Sequence, residues 1–169
     1  MKWLTIIVGL FLISYLPVVA QSSVTGKMEA EISIPVTAVE TELLNFGKIV
    51  PETGGGTIKI TSGNERTATG DITLLDDVFN AGKFVVSAVP NSLVSITLPQ
   101  TTQKLTLANG NAEIGVDNFE SNVPVGGQVI RQSDGKAEVS IGATLHIGNG
   151  LSNPAGFYTG TYEVVFMYN

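Results

Sequence analysis

The chain has 169 residues, the size of a single domain, and its hydrophobic fraction of 43% is enough for an ordinary buried core. Its formal net charge of −6 argues against nucleic acid or an anionic membrane surface as a partner. The absence of cysteine excludes disulfides, thiol nucleophiles and lipid-modified cysteines, so burial and sheet hydrogen bonds must stabilise the fold.

The first twenty residues have the pattern of a secretory signal peptide. Lys2 supplies the positive charge, residues 3–16 form an apolar run, and small residues lead up to Ala20. We predict cleavage after Ala20, which leaves residues 21–169 as one exported domain in the periplasm, at the cell surface or outside the cell. An uncleaved membrane anchor is the alternative, because the apolar run is only just long enough to span a bilayer. No membrane segment is predicted after removal of the signal.

The next segment predicts a long and regular first strand over residues 24–36. Apolar residues or glycine alternate there with polar ones, which places on one face Val24, Gly26, Met28, Ala30, Ile32, Ile34 and Val36. Pro35 lacks a backbone N–H, so we expect the end of this strand to bend or to lie on a sheet edge.

Short strands separated by turn signals follow along the rest of the chain. They are predicted over residues 44–49, 57–61, 68–75, 83–89, 94–98, 104–107, 112–116 and 129–132. A hairpin turn at residues 133–135 then leads to a strand over 137–147, whose odd-numbered residues are all apolar. We therefore predict an all-β fold: a single immunoglobulin-like or pilin-like β-sandwich of Greek-key type with about nine to eleven strands.

A final strand is predicted over residues 156–169. The period of two places Tyr158, Gly160, Tyr162, Val164, Phe166 and Tyr168 on one face. Two interpretations are open for this strand. It is either a central strand packed between its neighbours, or it flanks a groove that an incoming strand must fill.

Catalytic and metal-binding patterns are weak. His146 alternates out of phase with the apolar face of its strand, and no second histidine or cysteine completes a nucleophile pair or a zinc site. Asp76 and Asp77 lack the dense acidic loop of a calcium site, and the glycines at 54–56 precede a strand, so they indicate a flexible turn. We predict no catalytic, cofactor-binding or metal-binding residues, no cofactor, and no enzymatic activity.

Three fragments carry a resemblance to a known family. They are LNFGKI (44–49), ERTATGDITLL (65–75) and AGFYTGTYEVVFMYN (155–169), in the order seen in the bacterial domain-of-unknown-function family 4402. The resemblance covers residues 21–169. It implies an exported β-sandwich and brings no established activity with it.

A more distant similarity is to pilin subunits of the chaperone-usher type and to spore coat protein U-like domains. Those proteins share the LNFG-like start and a final strand whose apolar residues alternate up to a near-terminal tyrosine, here Tyr168. Gly156 matches a glycine that pilins commonly carry fourteen places from their end. Many pilins have a disulfide, which this chain lacks.

The similarity implies a fibre or coat subunit that assembles by β-strand donation. The donor would be the first strand, with Val24, Met28, Ala30, Ile32 and Ile34 entering a groove beside the final strand. The expected partners are copies of the chain or related subunits, and a periplasmic chaperone. The same alternation also suits the first strand of a self-complete sandwich, so its use within one chain or between chains stays open.

A binding module is the alternative function. A self-complete exported sandwich would recognise a glycan or a protein through its loops. The candidate loops are rich in asparagine and cover residues 109–111, 117–122 and 149–153.

Overall fold

The described part of the chain consists of β-strands and loops. The computed structural model describes residues 23–75, 78–123, 128–129 and 134–168. Contacts divide the chain into a short unit, Met1–Ile32, and a large unit, Ser33–Asn169. No helix occurs within the described ranges, which confirms the predicted all-β class. The predicted signal peptide and the aspartates at 76 and 77 lie outside the described residues.

The large unit contains eleven strands within its described residues. In chain order they are β1 (Thr37–Glu42), β2 (Ile49–Ile60), β3 (Arg66–Leu74), β4 (Gly82–Ser87), β5 (Val94–Thr97), β6 (Gln103–Leu107), β7 (Glu113–Ser121), β8 (Gln128–Val129), β9 (Lys136–Ile147), β10 (Tyr158–Thr159) and β11 (Val165–Tyr168). Every pairing between them is antiparallel.

The strands form two sheets in a sandwich-like arrangement. The larger sheet has the order β1-β4-β9-β7-β6-β10, and β2 joins it by pairing with both β9 and β3. Strand β9 pairs with β4 along its first half and with β2 along its second half. The smaller sheet has the order β11-β5-β8. Strand β1 is therefore an edge strand of the larger sheet, and β11 is an edge strand of the smaller one.

Two apolar cores result from the curvature of the large sheet, and β9 contributes to both. Val139 and Ile141 belong to the core that faces the small sheet, while Ala143, Leu145 and Ile147 belong to the other. All five are buried on the face that the sequence alternation predicts. The core that faces the small sheet, here called the second core, also contains Val86, Ala88, Val94, Ile96 and Leu98.

The predicted first strand is wrong as an element. Residues 23–36 form neither strand nor helix, and the first strand begins at Thr37. An alternating sequence favours a strand only where a neighbouring strand satisfies its backbone N–H and C=O groups. Residues 24–34, here called the N-terminal segment, have the pattern of a strand and pair with no strand among the described residues.

Three further predictions need correction. Residues 44–48 are outside any strand, because only Asn45 forms an isolated bridge, to Asn80. The glycines at 54–56 lie inside β2, at a register shift where Gly55 has φ of 65°, and not in a turn. The final strand is divided into β10 on the large sheet and β11 on the small one, because residues 160–164 pass from one sheet to the other.

Candidate functional site

Among the sheet edges that stay open in the described ranges, those of β1 and β11 lie beside the second core. β1 pairs with β4, and β11 pairs with β5. No other strand in the described ranges pairs with the second edge of β1 or of β11. An open edge presents a row of unpaired N–H and C=O groups, which is a template for adding a strand.

The end of β11 and the start of β1 face each other across a gap. The Tyr168 hydroxyl donates a hydrogen bond to the carbonyl oxygen of Ile34 at 2.9 Å and accepts one from the backbone N–H of Val89 at 3.0 Å. Ile34 stands three residues before the first residue of β1. Paired strands lie about 4.8 Å apart, whereas here a whole tyrosine side chain and a hydrogen bond separate the two backbones.

Aromatic side chains form the floor of this gap. Phe84 of β4 and Phe166 of β11 have ring centroids 6.2 Å apart, so they join the two sheets. Tyr162 meets Phe84 edge-on at 6.2 Å and stacks on Phe119 at 5.3 Å. All four rings are only half-buried, although they pack against the second core. We refer to the open edges of β1 and β11 together with these four rings as the cleft.

One polar group in the cleft has no partner. The Tyr162 hydroxyl oxygen is buried and accepts or donates no hydrogen bond within the described residues. Burial raises the pKa of Tyr162 above its usual value, and the negative charge of Glu40 raises it further. The β1–β4 register places Glu40 directly opposite Phe84, on the face of β1 that points toward the cleft.

The predicted residues of the final strand do not all meet in one place. Tyr162, Val164 and Phe166 pack against the second core, and Tyr168 reaches the root of β1. Tyr158 packs instead against the other core and donates a hydrogen bond to the carbonyl oxygen of Pro154 at 2.8 Å. Gly156 lies against the side chain of Leu107, whose Cδ1 a Cβ at this position would have to displace. The cleft therefore uses the second half of the predicted strand.

The predicted donor residues are strongly exposed. The side chains of Val24, Met28 and Ile32 are 90%, 98% and 97% exposed, and Ile34 is 56% exposed. Ala30 is exposed as well. Burial of these side chains against another surface would be favourable.

Polar groups outside the cleft form hydrogen bonds with nearby residues. His146 Nε2 lies 2.6 Å from Asp117 Oδ1 on the outer face of β9 and β7, a pairing that sequence separation concealed. No group of three or more histidine, aspartate or glutamate side chains in the described ranges could hold a metal ion. In the asparagine-rich loops, Asn149 accepts hydrogen bonds from the N–H groups of residues 151 and 152, and Asn153 accepts one from Gly148. These side chains stabilise their own loops.

Sequence reasoning missed Glu40, Phe84 and Phe119 as members of the cleft. Glu40 lies in β1, where no strand was predicted, and Phe119 lies in the part of β7 that was expected to be a loop. Phe84 lies in a predicted strand whose pattern resembles that of any other strand of a sandwich. Only the pairing of β1 with β4 and the approach of β11 bring them together.

Comparisons with known proteins identify a family and no individual relative. A family model described as "Domain of unknown function (DUF4402)" matches residues 34–168. This match confirms the resemblance carried by the three sequence fragments. Searches of curated proteins and of solved structures each returned no match. Among the described residues, none forms a helix long and apolar enough to cross a membrane.

Proposed function

The chain belongs to the DUF4402 family, and we propose that it is an exported, non-enzymatic structural subunit that assembles by strand uptake. In this proposal an additional β-strand enters the cleft between β1 and β11 and joins the two sheets. The product is a surface fibre or coat. The distant similarity to pilins suggests the same general behaviour, and a periplasmic chaperone would occupy the same cleft before assembly.

The observation that carries the proposal is the coincidence of two open edges with an incompletely covered apolar floor. An added strand would pair its backbone with β1 on one side and β11 on the other. Its alternate side chains would cover the half-buried rings of Phe84, Tyr162 and Phe166. Backbone pairing supplies affinity in such an arrangement, and the apolar floor selects an alternating sequence.

The N-terminal segment has the composition that the cleft requires. Complete burial of one Val, Ile or Met side chain contributes about 1.5–3 kcal/mol. Val24, Met28 and Ile32 are almost fully exposed, so together they would contribute roughly 5–9 kcal/mol before the entropic cost of association. This is enough to hold a joint that also gains two rows of backbone hydrogen bonds.

The test is the assembly state of the chain expressed from Gln21. We expect a ladder of bands on an SDS gel without boiling, a single band after boiling, and native masses that are multiples of one chain. A homogeneous monomer that unfolds cooperatively would contradict strand uptake between subunits. It would favour the alternative of a self-complete sandwich that binds a ligand through its loops.

A further inference from the structure

The chain contains two asparagine–glycine pairs, Asn109–Gly110 and Asn149–Gly150. Asparagine is a thermolabile residue, because the backbone nitrogen of the next residue can attack its side-chain amide carbon. A glycine in the next position favours this attack, since it has no side chain to block the approach and the widest choice of backbone angles. Both pairs lie in loops, one between β6 and β7 and the other after β9, so their surroundings can be compared.

The attacking nitrogen of the second pair is free. The N–H of Gly150 donates no hydrogen bond within the described ranges. Gly150 is exposed, and a Cβ built on it would meet no atom within 4 Å. No packing contact on this glycine therefore opposes the approach of its nitrogen to the side chain of Asn149.

The side-chain oxygen of Asn149 already faces two N–H donors. Asn149 Oδ1 accepts hydrogen bonds from the backbone N–H of Leu151 at 3.2 Å and of Ser152 at 3.0 Å. Attack on the amide carbon moves negative charge onto this oxygen, and donors that are already in place stabilise such a charge, as in an oxyanion hole. These hydrogen bonds strengthen as the charge develops, so they favour the transition state over the starting amide.

The first pair lacks both features. The N–H of Gly110 donates a hydrogen bond to the carbonyl oxygen of Leu107 at 3.2 Å. A Cβ on Gly110 would come within 2.8 Å of the Leu107 side chain, so this glycine is packed on one side. No N–H in the described part of the chain donates to the side chain of Asn109. Attack by Gly110 must therefore break a turn hydrogen bond, and nothing stabilises the charge that results.

From these differences we infer that Asn149 is a site of spontaneous modification, at which the chain cyclises to a succinimide and is then hydrolysed to aspartate or isoaspartate. The Gly150 nitrogen loses its proton to a base in the solvent and forms a bond to Cγ of Asn149. The bond from Cγ to Nδ2 breaks, and Nδ2 takes up a proton and leaves as ammonia. Water then opens the ring at either carbonyl. The inference is independent of the proposed function.

The modification changes the surface beside the loop. Residues 149–151 line an open cavity of about 580 Å³ together with Pro51, Glu52 and Thr53. An aspartate at position 149 adds a second carboxylate to a lining that already contains Glu52. Isoaspartate also lengthens the main chain by one methylene between the Asn149 carbonyl, which accepts hydrogen bonds from Ser152 and Asn153, and the rest of the loop. The modified loop is therefore more acidic, and its isoaspartate form is less ordered.

Peptide mapping by mass spectrometry tests the inference on the folded protein in mildly alkaline buffer. We expect conversion at Asn149 to be faster than at Asn109 by a factor on the order of ten. In concentrated urea the local sequence alone decides, and the two rates should become similar. Equal rates in the folded protein, or faster conversion at Asn109, would overturn the inference. So would an unreactive Asn149 over a period in which the unfolded chain converts completely.

Gly150→Ala is the matched variant. The site has room for the methyl group and the φ of Gly150 is not positive, so we expect the loop to fold unchanged. The methyl group hinders the attacking nitrogen, so conversion at Asn149 should fall several-fold while conversion at Asn109 stays the same. Unchanged hydrogen exchange at the amides of Ser152 and Asn153 would show that the loop is intact. An intact loop with an unchanged rate at Asn149 would overturn attack by the Gly150 nitrogen.

Discussion

The hydroxyl oxygen of Tyr162 lies directly against the Cα of Gly82, where a Cβ would overlap it. Gly82 begins β4, and Tyr162 belongs to the passage between β10 and β11, so this contact sets how closely the last part of the chain approaches the large sheet. Glycine is needed here for space and not for an unusual φ, because Gly82 is absent from the positions with positive φ.

We expect Gly82→Ala to destabilise the protein by about 1–3 kcal/mol, the range for overpacking a close contact. Urea unfolding monitored by circular dichroism measures the change. The double variant Gly82→Ala, Tyr162→Phe lacks the hydroxyl oxygen and should regain part of the lost stability. Equal effects of Gly82→Ala in the two backgrounds would show that the hydroxyl is not the obstacle.

The unpartnered Tyr162 hydroxyl predicts a dependence of stability on alkaline pH. Burial and the charge of Glu40 raise the pKa of Tyr162 in the folded state above the value of 10.0 expected in the unfolded chain. As the pH rises, Tyr162 therefore loses its hydroxyl proton in the unfolded chain before it does so in the folded protein. The contribution of Tyr162 to stability is complete below pH 10.0 and declines as the pH rises above that value. Tyr162→Phe should lose stability less steeply between about pH 9 and 11, as measured by urea midpoints. Tyr158→Phe is the control, and the same slope in Tyr162→Phe as in the wild type would contradict the prediction.

Tyr168→Phe should loosen the attachment of the chain at Ile34, just before β1. The substitution removes the hydrogen bonds to the Ile34 carbonyl and from the Val89 N–H. Each contributes about 0.5–1.5 kcal/mol net, so we expect a loss of about 1–2 kcal/mol in this partly exposed site. Hydrogen exchange should become faster at the Val89 amide. Tyr158→Phe, which removes one hydrogen bond at Pro154, should leave the exchange of Val89 unchanged. A slow Val89 amide in Tyr168→Phe would argue against the bond in solution.

Charges on the apolar face of the N-terminal segment should abolish assembly. Met28→Asp with Ile32→Asp places two carboxylates where the donor would enter the apolar cleft, and burying an unpaired charge is strongly unfavourable. We expect soluble monomers that still unfold cooperatively and show no SDS-resistant ladder. Thr25→Asp with Ser33→Asp adds the same charge on the alternate face, which would point to water, and should still assemble. Normal polymers from the Met28 and Ile32 variant would exclude this segment as the donor.

Several parts of the fold were predictable because they depend on local pattern. The alternation from Val139 to Ile147 predicted the buried face of β9 correctly. Alternation failed at residues 24–36, where the pattern is as regular but no strand in the described part of the chain pairs with the backbone. It also failed to show that the final strand passes between sheets at residues 160–164, because a change of neighbour leaves the period of two unaltered.

The amino-acid sequence by itself determined the all-β class, the faces of the strands and an N-terminal segment with the composition of a donor, because these follow from residue types a few positions apart. The tertiary structure alone decided which edges stay open, that Phe84 and Phe166 form the floor between them, and that Tyr168 holds Ile34. These contacts join residues far apart in the chain, and a period of two does not specify which strands become neighbours.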